Sequence, residues 1–279
     1  MPNEFNQKII EEFRANGGRV GGPFEGARLL LLTTTGARSG TPHTTPVAYL
    51  PDGGDRLLVI ASAGGADHNP AWYHNLVANP RVTVEDGTFT YEARAAVING
   101  AERDRLFARA VEADPGWAEY RAATSRVIPV VALEQFEGGP ASSTASHGRT
   151  LKLIHDAFRR ELELVRAEIA ASGPGGVGAQ LRVNCLAFCG GLHHHHTMED
   201  TALFPTLAER NPELGETLER LDREHRSIAA LLDELHEVIS TDNVDSQKVL
   251  AEIDRLAAEL EEHLAYEEEW LIPVLDELS

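Results

Sequence analysis

A duplicated pattern near the C-terminus constrains this chain more than any other feature. His195 precedes Glu199 by four residues and Pro205 follows Glu199 by six. His263 precedes Glu267 by four, and Pro273 follows Glu267 by six. Leu203 and Leu207 in the first copy match Leu271 and Leu275 in the second. A second pair of segments also repeats: Leu151, His155, Phe158 and Leu162 have the spacing of Leu221, His225, Ile228 and Leu232. The C-terminal half therefore reads as two helix pairs. Each pair carries a lone His on its first helix and a His/Glu pair on its second, the layout of a dinuclear metal site inside a four-helix bundle.

Residues three, four and seven apart share a helix face. Leu151, His155, Phe158, Leu162, Val165 and Ile169 form one stripe, and Leu221, His225, Ile228, Leu232 and Leu235 a second. A third runs through Ile253, Leu256, Leu260, His263, Glu267, Trp270 and Val274. The fourth comprises Phe188, Leu192, His195, Glu199 and Leu203. Each His or Glu sits where a core apolar residue belongs, and burying such groups unpartnered costs several kcal/mol apiece. One His on an apolar stripe is more often a satisfied core residue than a ligand. Four of them on four helices, two with Glu at i+4, are better explained by shared cations. Imidazole and carboxylate ligands suit iron, manganese or zinc, and two Glu can bridge two metals. Within the run His193 to His196, a turn of about 100° per residue lets only one or two rings face the core. His195 has the phase of Glu199, which leaves His194 and His196 as flanking groups or as groups backing the ligands.

The pattern H-x-x-x-E-[DE]-x-x-L-[FI]-P-x-L, present twice, resembles the hemerythrin-like (HHE cation-binding) family over roughly residues 150–279. The resemblance implies a non-haem, oxo- or hydroxo-bridged di-iron centre that binds oxygen, peroxide or nitric oxide, or senses iron or oxygen. It implies the ligands His155, His195, Glu199, His225, His263 and Glu267. Oxygen-carrying members have a second His four residues after the one on the third helix, where this chain has Ala229. Four His and two Glu leave an extra open or water-filled position, which favours reactivity or sensing over oxygen carriage.

The chain is long enough for two domains, 1–136 and 150–279, separated by a small, polar, Gly- and Ser-rich linker at 137–149. Charge divides along the same line. Residues 1–136 hold 13 Lys+Arg and 16 Asp+Glu, and the remainder 12 and 28. So acidic a bundle argues against nucleic acid as a partner. No apolar run approaches the roughly 20 residues of a membrane span, and the polar N-terminus is unlike a signal peptide. Cys185 and Cys189 lie four apart on one helix, so they read as reduced, half-buried thiols of a cytoplasmic protein.

In the first domain the period changes. Arg28 to Thr34, Thr44 to Tyr49, Arg56 to Ala61, Val82 to Glu85, Phe89 to Ile98 and Val127 to Leu133 read as strands. A helix is expected from Asn69 as N-cap to Ala78, another after Asn99-Gly100, and a third over Pro115 to Ala123. Short strands with few helices give a compact β-barrel, and the whole chain an α+β architecture. No G-x-G-x-x-G follows a strand, so a Rossmann domain is not indicated. Two Gly-rich approaches suit a phosphorylated cofactor. Gly36-Ala37-Arg38-Ser39-Gly40-Thr41 places an Arg fork between strands, and Ser62-Ala63-Gly64-Gly65 leads toward a helix N-terminus.

The segments 32–42, 61–75, Ala78-Asn-Pro80 and Ile128-Pro-Val-Val131 resemble the deazaflavin-dependent nitroreductase family of actinobacteria over roughly residues 20–135. That resemblance implies a split β-barrel, FMN-binding-like in fold, that binds coenzyme F420. Its implied activity is hydride transfer to quinones, nitro compounds or enone-type acceptors. By position, Arg38, Ser39 and Gly40 hold the coenzyme phosphate, and Ser62, Gly64 and Gly65 line the ring and its linker. Trp117, Tyr120 and Arg126 stand near the substrate. Arg126 counts among the coenzyme-binding residues, and Ser62, Tyr120 and Trp117 form the catalytic set. The well-known nitroreductase has Lys where this chain has Ala63, and three tyrosines where it has Asp114, Trp117 and Tyr120. Trp117 cannot donate a hydroxyl proton, which weighs against nitro-drug reduction. The resemblance also implies a homodimer, since split barrels often pair. The leading expectation is an F420-dependent oxidoreductase fused to a di-iron domain. The alternative is a non-catalytic oxygen, nitric oxide or iron sensor or scavenger whose barrel holds F420 or FMN.

Overall fold

The computed structural model describes residues 4–54, 56–136, 146–172, 177–241 and 244–278. They fall into two compact units, Met1–Thr144 and Ala145–Ser279. Most of the expected linker, 137–145, lies outside the described residues. Its end does not behave as linker: Ser146 accepts a hydrogen bond from the Arg149 backbone N–H and caps a helix that begins at His147.

The first unit is a closed six-stranded antiparallel barrel of β1 (Leu29–Thr35), β2 (Pro42–Pro51), β3 (Arg56–Ile60), β4 (Arg81–Glu85), β5 (Thr90–Ile98) and β6 (Val130–Gln135). Its order is β1-β2-β3-β6-β5-β4, closed by pairing of β1 with β4. Leu30, Leu32, Val59, Val82, Val84, Ala93, Val131 and Leu133 fill the interior from alternating strand positions. Each strand corresponds to one expected from the sequence. β6 starts three residues later than the pattern suggests, because Pro129 precedes it and Val127 is 73% exposed.

Four helices surround the barrel: α1 (Glu4–Ala15), α2 (Ala71–Ala78), α3 (Gly100–Ala113) and α4 (Gly116–Ala122). Sequence reasoning missed α1, whose Ile9, Ile10 and Phe13 cover Leu29 and Leu31 on the outside of β1. The start of α2 also differs from expectation. Pro70 occupies the N-cap, and the Asn69 side chain accepts a hydrogen bond from Arg126 instead of capping the helix.

The second unit is a four-helix bundle of α5 (His147–Ala171), α6 (Ala179–Met198), α8 (Gly215–Ser240) and α9 (Ser246–Glu277). A π turn at Glu199–Leu203 joins α6 to the short α7 (Phe204–Arg210). Each long helix buries its apolar stripe, each buried Leu, Ile or Val contributing about 1.5–3 kcal/mol. The stripe on α9 departs from its expected phase near the end. Trp270 is 44% exposed, while Leu271 and Leu275 are buried. Cys185 and Cys189 are not joined in a disulfide and are buried, not half-buried, and burial pushes the Cys189 thiol up to about 12.

Candidate metal centre and coenzyme cleft

At mid-bundle the polar residues of all four helices converge. His155 comes from α5, His195 and His196 from α6, Glu199 from the π turn, His225 from α8, and His263 and Glu267 from α9. His195 is nearly buried and the other six are buried. Their ligand atoms form two groups, each lying within 4.8 Å of one another: His155, His195, Glu199 and Glu267 in one, and His196, His225 and His263 in the other.

The two carboxylates lie between the groups. Glu199 directs Oε1 at His195 Nε2, 3.3 Å away, and Oε2 at His225 Nε2, 3.7 Å away. Glu267 Oε2 sits 3.4 Å from His155 Nε2 and 3.5 Å from His263 Nε2. The Nε2 atoms of all five histidines and both oxygens of Glu199 and Glu267 have no hydrogen-bond partner, although they are buried. Such a concentration of orphaned acceptors is untenable in an apolar core without cations, so the donor set fits a pair of metal ions.

Three further acids point the imidazoles inward. Glu268 Oε1 lies 3.0 Å from His155 Nδ1, Asp200 Oδ1 2.7 Å from His225 Nδ1, and Glu224 Oε2 3.0 Å from His263 Nδ1. A carboxylate on Nδ1 leaves Nε2 as the lone-pair face, an arrangement typical of metal-bound histidine. Each E-[DE] pair thus divides its labour. The first acid faces the centre, and the second reaches across to the lone His of a neighbouring helix. The sequence pattern contains that second acid without revealing its role. Burial would raise the Glu268 carboxyl, but bonds from His155 and Arg159 outweigh it and hold the group at about 2. Burial lowers His195 to about 2 and His263 to about 4, so these rings stay neutral. It raises Glu199 and Glu267 above the usual carboxylate range.

Of the two histidines expected to flank or back the ligands, His196 lies inside the centre: it is 4% exposed, stacks on His225 at 4.1 Å and meets His263 edge-on at 5.1 Å. His193 and His194 are exposed.

In the barrel unit, the residues implied by resemblance separate into two groups. Arg38 and Ser39 line a cleft of about 1020 Å³ together with Arg14, His43, His74 and Asn75. Arg38 is exposed and has no partner among the described residues. The turn before β2 is tightly built. A Cβ at Gly36 would meet Ser39 Oγ at 2.3 Å, and Gly40 takes a φ of +68°. Ser39 Oγ lies 2.9 Å from Thr41 Oγ1 and 3.2 Å from His43 Nε2. Asn75 accepts from the Ala37 N–H and donates to Thr34, anchoring the turn to α2. Neither His43 nor Asn75 stood out in the sequence, because strand pairing and helix packing bring them here.

The second group surrounds the loop at 61–69. Arg126 donates to the carbonyls of Ala61, Ser62 and Ala66 and to Asn69 Oδ1, at 2.6–3.0 Å. Its guanidinium therefore clamps the loop. Ala63 adopts a φ of +49°, unusual for a residue with a side chain. Gly65 is required by close approach to α4: a Cβ there would lie 2.8 Å from that of Ala123. Ser62 is half-buried. Trp117 and Tyr120 meet edge-to-face at 5.9 Å, with Trp117 packed on the Leu106–Phe107 core and Tyr120 39% exposed. None of Ser62, Gly64, Gly65, Trp117 and Tyr120 lines the cleft that holds Arg38.

Comparisons with known proteins match the two halves of the chain separately. Residues 6–135 match the family described as F420H(2)-dependent quinone reductase, and residues 147–275 match the hemerythrin HHE cation binding domain. An F420H(2)-dependent quinone reductase of Mycobacterium tuberculosis is 40% identical over 125 residues, 43% of this chain and 83% of that protein. A putative F420H(2)-dependent quinone reductase of Mycobacterium bovis matches to the same extent. A solved F420-H2 dependent reductase is 40% identical, covering 38% of this chain and 94% of its own, with a TM-score of 0.36.

Proposed function

The chain belongs to the F420H(2)-dependent quinone reductase family through its first domain and carries a hemerythrin HHE cation binding domain in its second. From that premise we propose that the first domain uses reduced F420 to reduce a quinone-type acceptor, while the second holds a di-iron centre that binds oxygen, peroxide or nitric oxide. The observation that carries the reductase half is the unpartnered Arg38 on a large cleft whose turn is fixed by Gly36, Ser39 and His43. A planar cation on a glycine-built turn suits the phosphate of a coenzyme, whereas Arg14 on the same cleft is already paired with Glu85. Reduced F420, when bound, would supply a hydride for two-electron reduction and leave as the oxidised coenzyme.

The chain's own part is positioning. Arg126 fixes the 61–69 loop so that Ser62, Gly64 and Gly65 keep one conformation. Ser62 or Tyr120 polarises the acceptor oxygen. Trp117 has no hydroxyl, so any proton donated from this helix comes from Tyr120.

In the bundle, the imidazoles of His155, His195, His225 and His263 with the carboxylates of Glu199 and Glu267 would supply the donors, and a pair of iron ions there would supply the capacity to bind a small diatomic or peroxide ligand. Deazaflavin chemistry moves electrons in pairs and iron moves them singly, so the two activities need not be wired together.

The test is a fluorescence titration of the purified protein with F420, with FMN as competitor. Saturable F420 binding is expected, weakened about tenfold or more by Arg38→Ala, consistent with loss of a charge-assisted bond. Binding of FMN in preference to F420, or of neither, removes the deazaflavin reading.

A further inference from the structure

His196 is the one inward-facing residue of the bundle centre that the repeated pattern does not supply. At the matching position of the second copy stands Leu264, fully buried in the apolar core. Packing alone is therefore satisfied by a leucine at this place, and an imidazole there forfeits apolar burial. Its Nε2 nevertheless has no hydrogen-bond partner, and it lies within 4.8 Å of the ligand atoms of His225 and His263. The ring stacks on His225 with its plane only 10° away. On α8 the residue one turn beyond His225 is Ala229, which offers no ligand.

We propose that His196 is itself a metal ligand, supplying from the second helix the imidazole that Ala229 withholds on the third. The proposal rests on the di-iron reading above. It revises the expectation of an extra vacant position drawn from Ala229, because that place in the donor set is filled from another helix. It also makes the two metal positions unequal. His196, His225 and His263 serve one, His155 and His195 serve the other, and Glu199 and Glu267 lie between them. A buried unpaired imidazole is otherwise unfavourable, which explains why the exception to the repeat falls here and not at an exposed site.

The experiment is an anaerobic titration of ferrous iron into the metal-free full-length protein and into His196→Leu, read by calorimetry and total iron. Cobalt(II) absorption reports coordination number in parallel. The wild type should take up two ions. His196→Leu should bind one of them more than about tenfold more weakly, a loss at least as large as that from outer-layer changes, and its cobalt spectrum should shift. Adding Ala229→His to His196→Leu should restore much of the affinity by returning an imidazole from α8. Metal-free circular dichroism checks folding. Should the leucine variant not fold, His196→Gln, which keeps a polar group but ligates poorly, is read in the same way. Two-ion uptake by His196→Leu with wild-type affinity and spectrum would make His196 a stacking partner only and overturn the proposal. Failure of the wild type to bind two ions would instead overturn the di-iron reading, and this proposal with it.

Discussion

The two copies of the H-x-x-x-E-[DE] pattern share a spacing but not a backbone. The second lies within one unbroken helix, α9, with Pro273 inside it. The first crosses a π turn, in which the Phe204 N–H bonds back to the carbonyl of Glu199. The wider turn changes which of the next two residues faces inward, while Leu207 and Leu275 stay buried at the same position in both copies. In the first copy Phe204 is buried against His225, with Leu203 half-buried. In the second Leu271 is buried, with Ile272 half-buried. The copies also differ at the position after the histidine, His196 in one and Leu264 in the other. Their second acids are unequally held. Glu268 is gripped by Arg159 and Lys152 and is 16% exposed. Asp200 is 36% exposed, and its one ion pair among the described residues is with His225. A duplicated segment has thus been kept identical at its two central carboxylates and allowed to diverge around them.

The severest challenge to this pairing is to neutralise both central carboxylates at once. Glu199→Gln with Glu267→Gln should abolish two-ion binding, a loss beyond the roughly hundredfold reach of outer-layer changes. The same variant also probes the metal-free state. Burial raises both carboxyls, so their contribution to metal-free stability is full below the unfolded carboxyl range and is lost as pH rises through the raised folded values. His195 and His263 are pushed down, so theirs is full above the unfolded histidine range and is lost as pH falls. At pH 8 the metal-free Gln variant should therefore be more stable than the metal-free wild type, by roughly 1–3 kcal/mol. Denaturant unfolding of chelator-treated protein checks it, and a less stable variant would contradict the burial argument.

A milder comparison sets Asp200→Asn against Glu268→Gln. Each should weaken metal binding by about tenfold to a hundredfold, with the larger effect at Glu268, the more buried and more heavily bonded acid. Calorimetry with ferrous iron would show the order, and equal effects would mean that burial of the second acid does not matter.

The last comparison concerns stability alone and sets the two prolines against each other. Pro273→Ala should stabilise α9 by about 1–3 kcal/mol, because proline inside a helix removes a backbone bond. Pro205→Ala should gain less, since Pro205 sits in the first turn of α7, where a proline is tolerated. Thermal melts of the two variants give the comparison directly.

Much of this molecule is legible in one dimension. Helical period places six inward-facing His and Glu residues on four stripes, and all six converge, because a 3.6-residue repeat fixes a face whatever the partner is. Period two and turn residues mark all six barrel strands. The π turn is not legible, because the spacing from His195 to Leu207 equals that from His263 to Leu275. Only the packing of Phe204 and Leu203 distinguishes the two backbones. The place of His196 is hidden for a related reason: the neighbours that bury it come from α8 and α9, distant in sequence. Arg126 shows the same limit in the barrel, since its four hydrogen bonds go to a loop about sixty residues away. Local periodicity is enough to say which faces are buried and which residue types line them, and for this chain it is written in the order of residues. Which buried groups meet, whether they are partnered and which backbone turn delivers them came from the folded molecule alone, because those depend on contacts between segments that local periodicity does not encode.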